Sequence, residues 1–182
     1  LLNMLALLGK KSGGSRTIAF MASFYRAFMK FFCPQIRSWD AATGHFWDSA
    51  LAGSSSLRAA VMRALKVENG VARGAHIGHL LLDPKKFYDS VKFQVLCKDL
   101  LKRQYPTELM VLGFFIHAAP RALKVGPSFG PVLHSCKNSI LTGDQQSVSW
   151  TRGLLYDLLD NLSKVDPEYP CAVHVDDLSH VL

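Results

Sequence analysis

A chain of 182 residues with 49% hydrophobic residues can build one compact domain, or one and a half small ones, which argues against wholesale disorder. Its formal charge of +7 is unevenly spread: residues 1–80 hold ten Lys/Arg against three Asp/Glu, and residues 81–182 hold eleven of each. Cys33, Cys97, Cys136 and Cys171 form no CxxC pair, and no run reaches the ~18–20 apolar residues of a membrane span, which argues against a disulfide framework, a zinc ribbon and a transmembrane helix.

Free thiols and the lack of a basic-then-apolar leader point to an intracellular protein, nuclear or cytoplasmic and not secreted. The start at Leu1 reads as internal to a longer chain. A basic front half suits a polyanion partner, although a solvated basic face is the commoner origin of such charge.

In chain order, Lys10-Lys11-Ser12-Gly13-Gly14-Ser15-Arg16 reads as a tight basic turn, with a strand leaving it over 17–21. Residues 22–32 read as a helix stopped by Pro34. Gly53-Ser54-Ser55-Ser56 opens a second helix, capped by serine, with Leu57, Val61 and Leu65 on one stripe and Gly70 beyond its end. Residues 77–83 read as a buried strand. Pro84 biases Asp83 toward extended backbone and leaves it at the strand's carboxyl end.

Asp89 or Ser90 is expected to cap the next helix, whose buried face is Phe93, Leu96, Cys97, Leu100 and Leu101. A helix over 107–118 and short strands within 121–133 follow. Residues 146–162 read as a helix with Thr151, Leu154, Leu155, Leu158, Leu159 and Leu162 on one face. A strand over 171–175 runs into Asp176-Asp177, and 178–182 forms the return strand, left with an exposed edge. The order predicts an α+β fold.

Phosphoryl transfer needs carboxylates at the ends of neighbouring strands, holding two divalent ions ~3.5–4 Å apart. Asp83 and the pair Asp176-Asp177 offer hard oxygen ligands suited to Mg²⁺. An isolated Asp-Asp pair is more often a turn or cap.

The sequence Leu82-Asp83-Pro84-Lys85-Lys86-Phe87-Tyr88-Asp89 resembles the first palm motif of reverse transcriptases, and His174-Val175-Asp176-Asp177 resembles their aromatic-x-Asp-Asp box. Between them Gly143-Asp144-Gln145-Gln146-Ser147 is similar to the family's Gly-rich, Gln-containing motif. Lys10-Lys11 with Arg16-Thr17-Ile18 resembles the basic fingers strand, and Gly53-Ser54-Ser55 a short segment before the palm. The ordered set is most similar to retrotransposons without long terminal repeats, or to their intron-encoded relatives.

The resemblance implies a right-hand polymerase with a fingers-like basic segment over 1–75. It also implies a palm over 76–182, built on a ferredoxin-like antiparallel sheet with packed helices and truncated before the thumb. Asp83, Asp176 and Asp177 become the catalytic acids and ligands of two Mg²⁺ (or Mn²⁺) ions, with the Pro84 carbonyl as a further ligand. Lys11 (or Lys10) and Arg16 grip the triphosphate, Tyr88 acts as a steric gate against ribose, and Gln146 positions template or nucleotide. Gly143, Ser147 and His174 lie near template and primer, while Asp89 caps a helix. The implied partners are an RNA template, a DNA primer and dNTPs, with a thumb and other polyprotein domains elsewhere.

Four positions depart from the pattern: His174 replaces an aromatic, Ser147 a glycine, Arg152 a proline and Pro84 an aliphatic. Two other readings stand beside this one. The chain is an inactive retroelement remnant that at most binds nucleic acid, or it is the palm of an RNA-templated RNA polymerase. Tyr88 argues against the latter.

Overall fold

The computed structural model describes residues 1–9, 11, 13–134, 136–165, 171–175 and 177–181. Contacts divide the chain into two compact units, each made of two separated segments: Leu1–Trp39 with Lys86–Trp150, and Asp40–Lys85 with Thr151–Leu182.

The first unit is built on a four-stranded mixed sheet. β1 (Asn3–Gly9) and β2 (Ser15–Phe20) form an antiparallel hairpin around the basic turn. β4 (Arg121–Val125) lies parallel to β1 and antiparallel to β5 (Ser128–Leu133), giving the order β2-β1-β4-β5. The amide Nδ2 of buried Asn3 donates to the Ile116 carbonyl at 2.6 Å and its backbone N–H donates to the Pro120 carbonyl at 2.8 Å, which fixes the register of β1. Strand β1 escapes sequence patterning because its apolar run lacks the alternation of a half-buried strand, although the basic turn follows it directly.

Helices α1 (Ser23–Phe31), α4 (Phe87–Ser90), α5 (Phe93–Lys102) and α6 (Thr107–Ala118) belong to this unit, and α2 (Cys33–Thr43) begins in it. Tyr25, Met29, Leu96, Leu100, Leu109 and Trp150 are among its buried side chains.

In the second unit the antiparallel order is β3-β7-β6, from β3 (His79–Leu82), β6 (Ala172–His174) and β7 (Asp177–Val181). Trp47, Leu159, Cys171, Val173 and Leu178 form its core, with Leu159 supplied by α7 (Ser147–Val165). α3 (Ser56–Ala72) is capped by the Ser55 hydroxyl, which accepts from the Arg58 N–H at 3.0 Å.

Several expectations are corrected. Pro34 does not end the helical stretch. Phe32 closes α1, and Pro34 is the second residue of α2, where a missing N–H costs nothing. Gly70 lies inside α3 and is buried, the helix running on to Ala72.

The apolar stripe of α3 faces outward, with Leu57, Val61 and Leu65 exposed. Leu101 on α5 and Leu158 on α7 are exposed as well. Periodicity marks a face but does not say what covers it. β3 is an edge strand with Leu80, Leu81 and Leu82 exposed, not a buried one, and the closing strand β7 is paired on both sides. Neither Asp89 nor Ser90 caps α5, whose N-cap is Lys92. Asp89 lies within α4 and its Oδ1 accepts from the Ser139 hydroxyl at 3.2 Å.

Candidate functional site

The register of β3 and β7 pairs Leu82 with Leu178. Asp83 follows the first of these residues and Asp177 precedes the second, so the two acids emerge at the same end of the sheet. Both line a cavity of about 390 Å³ together with His174, Arg63, Ser56 and Leu178. Both are exposed, and neither carries an ion pair or side-chain hydrogen bond among the described residues. Arg63 lines the same cavity but forms no ion pair with either acid among the described residues, which leaves both carboxylates able to attract a further cation.

Asp176 and Lys10, two of the predicted residues, lie outside the described residues. No group of three metal-ligating side chains comes together among the described ones. The exposed carboxylates of Asp83 and Asp177 are hard oxygen donors and fit Mg²⁺ by their chemistry.

Val175, in the turn between β6 and β7, has φ 63°. A β-branched residue there carries strain of about 1–3 kcal/mol, and such strain collects at functional turns. Ser49 holds the neighbouring residue: its hydroxyl donates to the Val173 carbonyl at 2.7 Å and lies 3.3 Å from His174 Nδ1. With its only proton on Val173, the Ser49 oxygen accepts from Nδ1–H, and this bond orients the ring.

Two participants were not read from the sequence. Arg63 lines the acid cavity and its Nη1 donates to the Ser179 hydroxyl at 2.8 Å. Its place seven residues after Ser56 on one helix was the available signal. The other is a buried ion trio in which Arg152 Nε donates to Asp48 and its Nη1 to Asp40. The Asp48 carboxylate also accepts from the Ala50 N–H at 2.8 Å. Arg152, noted above as a departure from the family pattern, is thus a structural anchor of the second unit.

Pro84 follows Asp83 in the second unit, and the remaining predicted residues belong to the first. Lys11 is exposed in the β1–β2 turn and Arg16 is exposed on β2 opposite Leu8. Tyr88 is half-buried in α4, its ring edge-on to Phe87 at 5.7 Å, and its carbonyl accepts from the Ile140 N–H at 3.0 Å. Gly143 has φ 99°, a conformation that favours glycine. Ser147 is buried with its hydroxyl on the Leu141 carbonyl at 2.7 Å.

Gln146 is corrected. It is 0% exposed, and its amide accepts from the Tyr105 hydroxyl at 2.8 Å and donates to the Tyr25 hydroxyl at 3.1 Å. A buried amide engaged at both ends does not face a ligand. It heads a chain of polar groups: Tyr25 donates to Asp144 Oδ1 at 3.1 Å, and His117 Nε2 lies 2.9 Å from Asp144 Oδ2. The Leu141 N–H donates to His117 Nδ1 at 2.9 Å, so the ring proton sits on Nε2 and points at Asp144. These bonds fix the Gly143–Gln146 turn.

That turn borders a second cavity of about 800 Å³, lined also by Arg26, Lys30 and Arg37. None of these three cations has a side-chain partner among the described residues.

Burial, then the Asp144 carboxylate, raises the Tyr25 pKa far above the ordinary tyrosine value. The neutral phenol therefore contributes stability that is fully present below about pH 10 and is lost as pH rises beyond it. Tyr25→Phe should remove about one proton from the alkaline slope, about 1.4 kcal/mol per pH unit, in urea melts compared across that range. An unchanged slope would contradict the assignment.

Neither a family model nor a curated protein matches the chain. Among solved structures it is similar to apo telomerase from Candida tropicalis truncated from its C-terminal domain, at TM-score 0.68 and 12% identity over 99% of this chain and 43% of that one. It is also similar to telomerase from Candida albicans in complex with a TWJ fragment of telomeric RNA, at TM-score 0.68 and 13% identity over 99% of this chain and 38% of that one. The chain thus spans about two fifths of those telomerase chains. At this level of identity the likeness speaks to architecture alone, an α+β fold shared with part of those two telomerase chains.

Proposed function

We propose that the chain is the fingers and palm portion of an RNA-templated DNA polymerase, derived from a retroelement polyprotein. The observation that carries this reading is the meeting of Asp83 and Asp177 at one end of the β3-β7-β6 sheet, beside His174 and in one cavity, with no ion pair among the described residues. The telomerase likeness supports it at the level of fold.

In this reading residues 1–75 supply the fingers and 76–182 the palm. Asp83, Asp176 and Asp177, with the Pro84 carbonyl, hold two Mg²⁺ ions, which when bound supply activation of the primer 3′ oxygen and neutralisation of the leaving pyrophosphate. Lys11 and Arg16 take the triphosphate, Arg by its fork of donors. The unpaired cations Arg26, Lys30 and Arg37 favour a polyanion in the first unit. Gln146 acts indirectly, by holding the turn it shares with Gly143 and Ser147.

Tyr88 is the gate that excludes a 2′-OH. Tyr88→Ala should raise rNTP incorporation relative to dNTP by about tenfold or more, as expected when one steric contact worth 1–3 kcal/mol is lost. Equal selectivity in the two proteins would remove Tyr88 from that role. The reading as a whole is tested by Mg²⁺-dependent extension of a DNA primer on an RNA template. A folded chain that binds the hybrid but does not extend it would favour the remnant reading.

A further inference from the structure

The unit that carries Asp83 and Asp177 has a further cavity, of about 520 Å³, which the proposed chemistry does not use. Arg58, Arg63 and Lys66 of α3 line one side, and His45, Phe46 and Trp47 another. Phe46 is 67% exposed, its ring centroid 4.5 Å from that of His45, which in turn stacks on Trp47 at 5.8 Å. An exposed ring beside stacked rings is costly in water and is a platform for a flat ligand.

The side chains of Arg58 and Lys66 have no partner among the described residues. Asp48, the acidic residue among those lining the cavity, is already engaged by Arg152. Trp47 is 1% exposed, and neither its Nε1 nor the buried His45 Nδ1 has a partner among the described residues. An exposed aromatic face beside two cations that have no partner among the described residues is suited to a nucleotide, its base on the ring and its phosphate on the cations.

We propose that this cavity holds one nucleotide of a single-stranded nucleic acid, its base on Phe46 and His45 and its phosphate on Arg58 and Lys66. The proposal rests on the nucleic-acid reading above and extends it. Ala59 and Arg63 line both this cavity and the one holding Asp83 and Asp177, so α3 is their common wall and the track along which the strand leaves the acids.

The test is fluorescence anisotropy of the whole chain with an oligonucleotide of roughly ten nucleotides, the same length of abasic backbone, and AMP as competitor. Phe46→Ala is expected to weaken the base-bearing oligonucleotide about tenfold and to leave the abasic one unchanged. Lys66→Gln should weaken both and lower the salt slope by about 0.7. Phe46 is exposed, so its replacement costs little in folding, which circular dichroism checks.

Phe46→Ala binding the base-bearing oligonucleotide within about twofold of the parent would overturn the proposal. So would AMP binding as tightly as the oligonucleotide, which would make the cavity a free-nucleotide site. Both results leave the polymerase reading intact. A parent chain that binds neither oligonucleotide overturns the polymerase reading and the proposal together.

Discussion

Asp83→Asn should abolish Mg²⁺-dependent extension of a DNA primer on an RNA template, with a loss of at least about two orders of magnitude, while the protein stays folded. The size follows from removing a preorganised charge at the reacting centre, where single electrostatic groups are worth about 10²–10³ in rate. The isosteric amide keeps shape and hydrogen bonding but gives up the negative charge that a divalent ion requires.

Stability separates this outcome from a structural one. Asp83 is exposed, makes no ion pair among the described residues, and shares its cavity with Asp177. Its neutralisation should therefore leave the melting midpoint unchanged or slightly raised, since a like-charge contact is relieved. Activity retained in full would remove Asp83 from the site. Activity and stability lost together would make it a structural residue.

The second large effect is on folding. Arg152→Ala should destabilise the protein by about 3–5 kcal/mol, because it strands Asp48, a buried carboxylate, and Asp40, a partly buried one, without their cation. Lysine should rescue little, since one ammonium does not reproduce a planar fork shared between two carboxylates. Replacing Arg152, Asp40 and Asp48 together by apolar residues of similar volume should cost far less than the single change. Urea titration of the variants decides the matter, and a loss below about 1 kcal/mol for Arg152→Ala would mean that the trio is solvated rather than buried.

The two predictions bear on different layers of the protein. Asp83 stands exposed at a strand end, where a charge with no ion pair among the described residues is solvated by water. Arg152 sits where every charge needs a partner.

Local chemistry was legible in the sequence wherever a single residue type decides the backbone. Ser55 caps α3, as read from the serine run. The Gly143–Ser147 motif opens a helix, α7, with Gly143 at positive φ before it. Asp83 directly follows β3, and residues 172–174 and 177–181 pair as a hairpin. The 107–118 helix is continuous, with Leu109, Met110 and Ile116 buried and Val111 and Phe115 exposed, so its apolar run marked it.

What covers a surface and what partners a charge were decided only by tertiary structure. Leu57, Val61 and Leu65 have flawless helical spacing and face outward. Periodicity encodes a direction about the helix axis, whereas burial depends on which distant segment arrives there. Gln146 looked like a ligand contact and is instead locked between Tyr25 and Tyr105, which lie 121 and 41 positions earlier. Arg152 looked like a departure from a pattern and became an anchor because Asp40 and Asp48, over a hundred positions earlier, meet it. The sequence by itself determined the α+β class, the strand ends and the acids they carry, since these follow from backbone preference and short-range patterning. The tertiary structure decided which side chains are consumed inside and which are left free for a ligand, because buried polar groups take their partners from wherever the chain returns.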